Sequence, residues 1–168
     1  EKAAALARFG IRAVSTPAEA VRGASRIHLV LRDDAVVDEV LASAIAGLSP
    51  GAVVLDHTTT LPARTAERAR RLLSQGVNYL HCPVFMGPAA ARNAKGSMMV
   101  SGPRPLFERV EAELARMTGR LEYLGERPDL AAVRKLLGNT MIIGLVALVA
   151  DAFAQAKACG VSPDDALG

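Results

Sequence analysis

Residues 26–56, RIHLVLRDDAVVDEVLASAIAGLSPGAVVLD, contain the pattern that decides the fold. The apolar run RIHLVL predicts a buried strand, and AVVLD at the other end of the stretch predicts a second one. Between them, DDAVVDEVLASAIAGLSPG has an acidic start, helically spaced apolar residues and a final Gly. A strand, an amphipathic helix and a second strand in this order predict that the two strands pair in parallel.

The same alternation continues on both sides of this unit. Helices are predicted for EKAAALARFG, TPAEAVRGAS, ARTAERARRLLSQG and PRPLFERVEAELARMTG, and strands for IRAVS, VNYLHCPV, SMMVSG and LEYLG. The alternation over residues 11–84 predicts an α/β fold with a doubly wound, mostly parallel sheet. In such sheets ligands bind beyond the carboxyl ends of the strands. The loops 31–34, 57–62 and 85–88 are therefore expected to line a crevice.

Composition excludes several classes of protein. The 168 residues are 51% hydrophobic but only 4% aromatic, with a net charge of +3. The longest basic cluster, RARR at 68–71, is interpreted as a solvated helix face, and no nucleic-acid partner is expected, because no aromatic residues interleave with it. Two distant cysteines and no visible signal peptide indicate a reducing, cytoplasmic setting.

One long helical pattern runs from residue 128 to residue 160 and would be about 45 Å long. Its most apolar run, MIIGLVALVA at 141–150, is about ten residues, too short to span a bilayer, so no membrane association is expected. Apolar residues surround the helix over 136–150, which indicates that other elements bury it. We therefore expect a further domain or a second copy of the protein, giving a homodimer, to cover this helix.

His81 and Cys82 stand side by side, yet strand alternation points their side chains to opposite faces, and no zinc or other metal site is expected. Cys82 is predicted to lie in the core and His81 at the rim of the crevice. His57 could face either the crevice or solvent, and His28 is predicted to be interior. Asp33 and Asp34 are interpreted as a helix-start acid pair.

Lys135 and Asn139 are four residues apart, on one face of the long helix. Burial at an apolar stretch lowers the pKa of a lysine and makes it a usable proton donor near neutral pH. Asn139 could hold the lysine or a substrate oxygen by hydrogen bonds. The alternative from spacing alone is a surface lysine beside a helical Asn.

Four motifs in order resemble the β-hydroxyacid dehydrogenase family, which includes 3-hydroxyisobutyrate and 6-phosphogluconate dehydrogenases. They are DHTTTLP (56–62), HCPVFMGPAAA (81–91), GSMMVSG (96–102) and KLLGN (135–139). The resemblance implies that residues 1–127 are part of a Rossmann-like NAD(P)-binding domain, without its first βαβ portion, and that residues 128–168 are an interdomain helix and the start of an all-helical dimerisation and substrate domain. It also implies NAD or NADP as cofactor and hydride transfer at a carbonyl or alcohol carbon of a small molecule.

The resemblance also implies roles for individual residues. Lys135 matches the family's general acid/base, and Asn139 matches the residue that supports it. Thr59 matches a threonine near the nicotinamide. Leu31 and Arg32 match a Leu-Pro pair that lines the adenosine side of the cofactor, with Arg32 in place of the usual Pro.

Three departures from the family pattern bear on function. Phe85, Met86 and Gly87 stand where many relatives bind a substrate carboxylate through Ser-Gly-Gly, so a bulkier or less anionic substrate is expected. Pro128 and Asp129 replace glycines, and Asp129 is expected to act as a helix-start acid. The fingerprint G-x-G-x-x-G is absent and is expected upstream of this chain.

The sequence thus predicts an NAD(P)-dependent dehydrogenase acting on CH–OH groups. Two alternatives remain open at this stage. The first is an imine reductase-like enzyme, favoured by the apolar 85–87 loop. The second is a non-catalytic dimerising scaffold.

Overall fold

The computed structural model describes residues 4–167. Within that span, six strands form one sheet: β1 (Arg26–Leu29), β2 (Val53–Asp56), β3 (Asn78–His81), β4 (Val84–Phe85), β5 (Ser97–Ser101) and β6 (Arg120–Gly125). The helices are α1 (Pro17–Val21), α2 (Asp34–Ala44), α3 (Pro62–Ser74), α4 (Pro88–Arg92), α5 (Arg104–Ala115), α6 (Leu130–Ala158) and α7 (Pro163–Leu167). Short 3-10 helices cover Ala4–Phe9 and Ile45–Gly47.

The sheet is mostly parallel, with a reversal at one side. β1, β2 and β3 pair in parallel in that order. β5 is antiparallel to both β3 and β4, and it pairs in parallel with β6. The predicted class, an α/β doubly wound sheet followed by a long helix, is confirmed.

Two apolar cores lie on opposite faces of the sheet, because successive strand residues point to opposite sides. On one face Val54 and Tyr79 pack with residues of α1, α2 and α3, including Val37 and Leu72. On the other face the strand residues Val53, Leu55 and Leu80, and Cys82 directly after β3, pack against α5 through Phe107, Val110 and Leu114. Helices cover both faces of the sheet, so the ends of the strands are the parts of the sheet that helices do not cover.

The starts of α1 and α2 follow the predicted capping chemistry. Thr16 and Glu19 form a reciprocal capping box at α1, with Pro17 in the first turn. Asp33 is the N-cap of α2 and accepts a hydrogen bond from the Val36 backbone N–H at 3.0 Å. The interpretation of Asp33 and Asp34 as helix-start acids is confirmed.

The strand predicted for residues 11–15 is wrong. This segment forms no strand, and Ile11 is half exposed. A strand needs a neighbour for its backbone hydrogen bonds, and no strand lies alongside it within residues 4–167. The helix predicted before it is a 3-10 helix that ends, as expected, at Gly10, whose φ of +76° suits glycine. Residues 1–3 of that prediction lie outside the described residues.

The long helix α6 leaves the sheet after residue 139, about two and a half turns from its start. Ala131 and Ala132 are fully buried, whereas large apolar side chains further along, such as Leu145 and Leu148, are 62% and 68% exposed. An 18-residue window of α6 has a mean hydropathy of 1.9, so by length and composition this helix could cross a membrane. The sequence argument from the run 141–150 was therefore too narrow. Core helices of soluble proteins share this property.

Candidate active site

The three predicted loops meet at the carboxyl ends of the parallel strands. The Leu31 backbone N–H donates to Thr58 Oγ1 at 3.1 Å, which joins the loop after β1 to the loop after β2. A crevice of about 590 Å³ at these strand ends is lined by Val30, by His57 and by residues 86–88. The predicted convergence of these loops is confirmed.

The loop after β2 exposes one of its three threonines. Thr58 and Thr60 are 2% and 3% exposed, whereas Thr59 between them is exposed. The Thr58 backbone N–H donates to Asp56 Oδ1 at 3.0 Å, and Thr60 Oγ1 lies 2.7 Å from Thr65 Oγ1. Hydrogen bonds to Asp56 and Thr65 hold Thr58 and Thr60 in buried positions. The exposed hydroxyl of Thr59 is therefore available to a ligand at the strand ends.

Leu31 and Arg32 occupy the neighbouring loop but face different surroundings. Leu31 is half-buried and packs against the core on the α2 side. Arg32 is exposed, and its Nε donates to Asp33 Oδ2 at 2.6 Å. The hydrogen bond and charge of Asp33 raise the pKa of the Arg32 guanidinium. Arg32 therefore presents a paired charge on the surface of the loop after β1.

A buried polar network lies beneath the loop that carries Thr59. Asp56, at the end of β2, is fully buried and accepts a hydrogen bond from the Tyr79 hydroxyl at 2.8 Å. Arg68 Nη1 lies 3.8 Å and His81 Nδ1 4.0 Å from the same carboxylate. Burial and the charge of Asp56 raise the pKa of the Tyr79 hydroxyl. The network fixes the end of β2, from which the loop departs.

Arg68 extends this network to α2. Its guanidinium bonds Asp34 Oδ1 at 2.7 Å and Asp38 Oδ1 at 2.9 Å, and its side chain is 1% exposed. Burial alone would lower the pKa of Arg68, but the hydrogen bonds to Asp38 and Asp34 raise it. Asp34 also accepts from the Leu61 backbone N–H at 2.9 Å, which holds the far end of the Thr59 loop.

The interpretation of RARR as a solvated helix face is therefore wrong for Arg68. The sequence analysis missed this network, although a signal was present. Asp34 and Asp38 are four residues apart, so they share one face of α2 and can bind one guanidinium together. Only the tertiary packing shows that this face of α2 meets α3.

His81 and Cys82 point to opposite sides of β3, as predicted, and both are fully buried. Cys82 belongs to the apolar core on the α5 side, which confirms the prediction for it. The rim position predicted for His81 is wrong, because its ring lies inside the polar network, with Nε2 3.4 Å from Thr60 Oγ1. Burial lowers the pKa of His81 to about 4. The adjacent pair forms no nucleophilic couple.

The other two histidines, His28 and His57, lie close to each other at the crevice. The rings of His28 and His57 are nearly parallel and lie side by side, with centroids 5.2 Å apart and His28 Nδ1 2.9 Å from His57 Nε2. His57 Nδ1 lies 2.8 Å from the Cys82 carbonyl oxygen and therefore donates to it, which leaves Nε2 to accept from His28. Burial lowers the pKa of both rings. His57 lines the crevice, which settles the alternatives left open for it.

The interior position predicted for His28 is wrong. His28 is exposed, because β1 is an edge strand and its face away from α2 is not covered within residues 4–167. Across the same part of the chain, no group of three or more His, Cys, Asp or Glu side chains is arranged to hold a metal ion.

Lys135 contacts the loop predicted to bind the substrate. Its Nζ lies 3.7 Å from the centroid of the Phe85 ring, over the face of that ring. Lys135 is half-buried, and burial lowers the pKa of its ammonium group. Asn139, one turn further along α6, is also half-buried, while Met86 and Gly87 line the crevice. The structure thus brings the predicted acid/base and the predicted substrate loop together.

The start of α6 is attached to the sheet by a residue that the sequence analysis did not single out. Ser101 Oγ, at the end of β5, donates to the Pro128 carbonyl at 2.7 Å and accepts from the Ala131 backbone N–H at 3.1 Å. Asp129 occupies the N-cap position, but its side chain makes no cap bond and pairs with Arg127. Asp129 is therefore an acid at the helix start, as predicted, but Ser101 and not Asp129 supplies the cap hydrogen bond.

A family model described as the NAD binding domain of 6-phosphogluconate dehydrogenase matches residues 1–125, most of the chain. This chain belongs to that family. The resemblance read from the four motifs is confirmed. The 6-phosphogluconate dehydrogenase-like fold also explains why helices lie on both faces of the sheet and the strand ends stay open.

Individual relatives agree with the family. An NADH-dependent oxidoreductase of Aspergillus ustus is 32% identical over 147 residues, which cover 88% of this chain and 49% of that protein. L-threonate dehydrogenase of Cupriavidus necator is 33% identical over 122 residues, covering 72% of this chain and 41% of that protein. The solved structure of a Streptomyces aurantiacus imine reductase superposes with a TM-score of 0.89 at 28% identity, covering 98% of this chain and 58% of that one.

The chain therefore spans about half the length of the curated relatives it matches. Members of the 6-phosphogluconate dehydrogenase NAD-binding family bind nicotinamide dinucleotides, so the predicted cofactor class, NAD or NADP, is confirmed. The described residues fit such a ligand, since the crevice and the exposed Thr59 hydroxyl lie at the strand ends. The family match ends at residue 125, before Lys135 and Asn139, and the roles of the site residues stay predictions.

Proposed function

We propose that the full-length protein containing this chain is an NAD(P)-dependent dehydrogenase of the 3-hydroxyisobutyrate dehydrogenase-like type. It would act on the CH–OH group of a small molecule, or on the carbonyl group in the reverse direction. The observation that carries the proposal is the contact of the half-buried Lys135 with the 85–87 loop, beside the crevice of a dinucleotide-binding fold.

When bound, NAD(P) would supply the hydride chemistry, as acceptor during oxidation and as donor during reduction. Lys135 takes the proton from the substrate hydroxyl during oxidation and returns it to the oxygen during reduction. Burial lowers the pKa of Lys135, so a larger share of neutral amine is present to accept the proton. Asn139 would hold the substrate oxygen beside the amine by a hydrogen bond, and Leu31, Arg32 and Thr59 would contact the cofactor.

The proposal is tested by NADH and NADPH binding to the full-length protein, followed by the fluorescence of the reduced nicotinamide. Lys135→Ala should leave cofactor binding unchanged and reduce kcat by about 100-fold or more, the usual contribution of a general acid/base. Lys157→Ala is the matched control, because Lys157 is exposed on the same helix. If the wild type binds neither cofactor, or if Lys135→Ala retains full activity, the proposal fails.

An imine reductase-like activity is the second candidate. Phe85 and Met86 make the 85–87 loop apolar, and the Streptomyces aurantiacus imine reductase has a similar fold at 28% identity. Parallel assays with a ketone and with its cyclic imine counterpart separate the two activities. The third candidate, a non-catalytic scaffold, predicts no turnover of either compound and no cofactor binding.

We also propose that a second copy of the protein covers the exposed apolar side of α6, giving a homodimer. Support comes from the row of exposed large apolar side chains that includes Met141, Leu145 and Leu148. Light scattering of the full-length protein tests this, and a monomer at micromolar concentration would contradict it.

A further inference from the structure

The ring of Phe85 is inserted against one face of α6. Lys135 and Gly138 are three residues apart, so they share that face. The Lys135 ammonium lies 3.7 Å from the ring centroid on one side of the contact. On the other side, a Cβ atom added to Gly138 would lie 2.5 Å from Phe85 Cζ and 3.2 Å from Cε2. The ring therefore fits between β4 and α6 because residue 138 has no side chain.

The ring is the partner that the structure gives to the Lys135 charge. Within residues 4–167, no carboxylate forms an ion pair with Lys135, and Glu122, which binds the adjacent Arg134, is paired with Arg120 as well. The face of an aromatic ring attracts an ammonium group and restricts its position. Phe85 therefore holds the amine at the junction of the helix and the loop.

The same ring removes the chemistry needed to bind a carboxylate. A bound carboxylate requires hydrogen-bond donors, and the side chains of Phe85 and Met86 offer none. The Phe85 ring also occupies the space between the loop and Lys135. An anionic substrate placed there would lose its water without gaining donors from these two side chains.

We propose that Phe85 is a positioning residue for Lys135, and that the Phe85–Gly138 contact selects substrates with no carboxylate beside the reacting carbon. The substrate class is therefore an uncharged alcohol or carbonyl compound. This inference rests on the proposed function of Lys135 as the proton donor and acceptor.

The contact is tested without any substrate. The lysines of the full-length protein are labelled by reductive methylation with carbon-13, and Lys135→Arg assigns the resonance of Lys135. The ring current of Phe85 should shift this resonance upfield, and Phe85→Leu should remove the shift. An unchanged resonance in Phe85→Leu would overturn the positioning role.

Gly138→Ala provides a second, independent perturbation. Alanine normally stabilises a helix relative to glycine, but here its Cβ would displace the Phe85 ring. Gly138→Ala should therefore remove the upfield shift and lower kcat with little change in KM. Gly144→Ala is the matched control on the same helix, because among the described residues its added Cβ meets nothing within 4 Å beyond its chain neighbours and the adjoining helix backbone. Equal effects of the two alanines would overturn the proposal.

Selectivity is tested with 3-hydroxyisobutyrate and its methyl ester, which differ in charge at one group. The wild type should favour the ester, and Phe85→Ser should shift the ratio of kcat/KM toward the acid by about tenfold or more. A wild type that favours the acid overturns the inference while leaving the dehydrogenase proposal intact. If neither cofactor binds, the proposed function fails, whereas the carbon-13 experiment still decides the Phe85 contact.

Discussion

Replacing Arg68 by Met tests the buried network beneath the Thr59 loop. The Arg68 side chain is 1% exposed and lies 2.7 Å from Asp34, 2.9 Å from Asp38 and 3.8 Å from Asp56. Methionine keeps an unbranched apolar stem of similar reach but removes the charge and the donors. The variant therefore leaves three carboxylates without their shared cation.

The expected loss is about 3–5 kcal/mol in the free energy of unfolding, the usual cost of removing one partner of a buried ion pair. Asp56 contributes most of the expected loss in unfolding free energy, because its carboxylate is fully buried and water cannot solvate it. It keeps the hydrogen bonds from the Tyr79 hydroxyl and the Thr58 N–H, which limits the loss. Against a total stability of about 5–15 kcal/mol, this is a large fraction.

The assay is urea denaturation of the full-length protein followed by far-ultraviolet circular dichroism. Arg71→Met is the matched control, since Arg71 bonds the same Asp38 oxygen at 2.6 Å but is 46% exposed. An exposed ion pair contributes about 0–1 kcal/mol. If Arg68→Met costs no more than Arg71→Met, the network does not stabilise the fold by buried electrostatics, and the reasoning is refuted.

Three further predictions concern the same edge of the sheet. Burial lowers the pKa of His81 to about 4, so the wild type should lose about 3 kcal/mol of stability as pH falls from ~6.5 to ~4, because the unfolded chain binds the proton first. His81→Gln should flatten that dependence in pH-dependent thermal unfolding, leaving a smaller slope from His57 and His28, whose pKa values burial also lowers. Thr59→Ala should weaken NADPH binding in fluorescence titration without lowering the Tm, whereas Thr58→Ala should cost about 1 kcal/mol of stability, since its hydroxyl accepts from a backbone N–H. Ser101→Ala should cost about 1–2 kcal/mol by calorimetry, because it removes the cap of α6.

Each of these predictions has an outcome that contradicts it. A His81→Gln variant as sensitive to acid as the wild type would mean that another group controls the pH dependence. A Thr59→Ala variant that binds NADPH normally would remove Thr59 from the cofactor site. An unchanged Tm in Ser101→Ala would mean that the α6 start is held by packing of Ala131 and Ala132 alone.

The succession of strands and helices could be predicted because it depends on local rules. Strand residues such as 53–55 are continuously apolar, and the starts of α1 and α2 carry their own caps, Thr16 and Asp33. The strand predicted for 11–15 was wrong because a strand also needs a neighbour, which is a tertiary requirement. The sequence could not supply that information from the segment itself.

The candidate site divides in the same way. Alternation along the chain was enough to predict that the side chains of His81 and Cys82 point to opposite faces of the sheet. The position of the three loops at strand ends was enough to predict that these loops lie together. The burial of Arg68 depended on which face of α2 meets α3, and the exposure of His28 depended on what covers the edge strand. Both are properties of packing between elements distant in the chain.

By itself, then, the sequence determined the α/β class, the family and the place of a crevice at the strand ends. The class and the crevice follow from the local periodicity of strands and helices, and the family follows from the order of short motifs along the chain. The tertiary structure decided which polar groups form the buried network around Asp56 and that Lys135 lies over the ring of Phe85. Phe85 and Gly138 are 53 positions apart, and only the packing of β4 on α6 brings an aromatic ring into the space that a glycine leaves open. Long-range contacts of this kind depend on the shape of the folded chain, which no local pattern encodes.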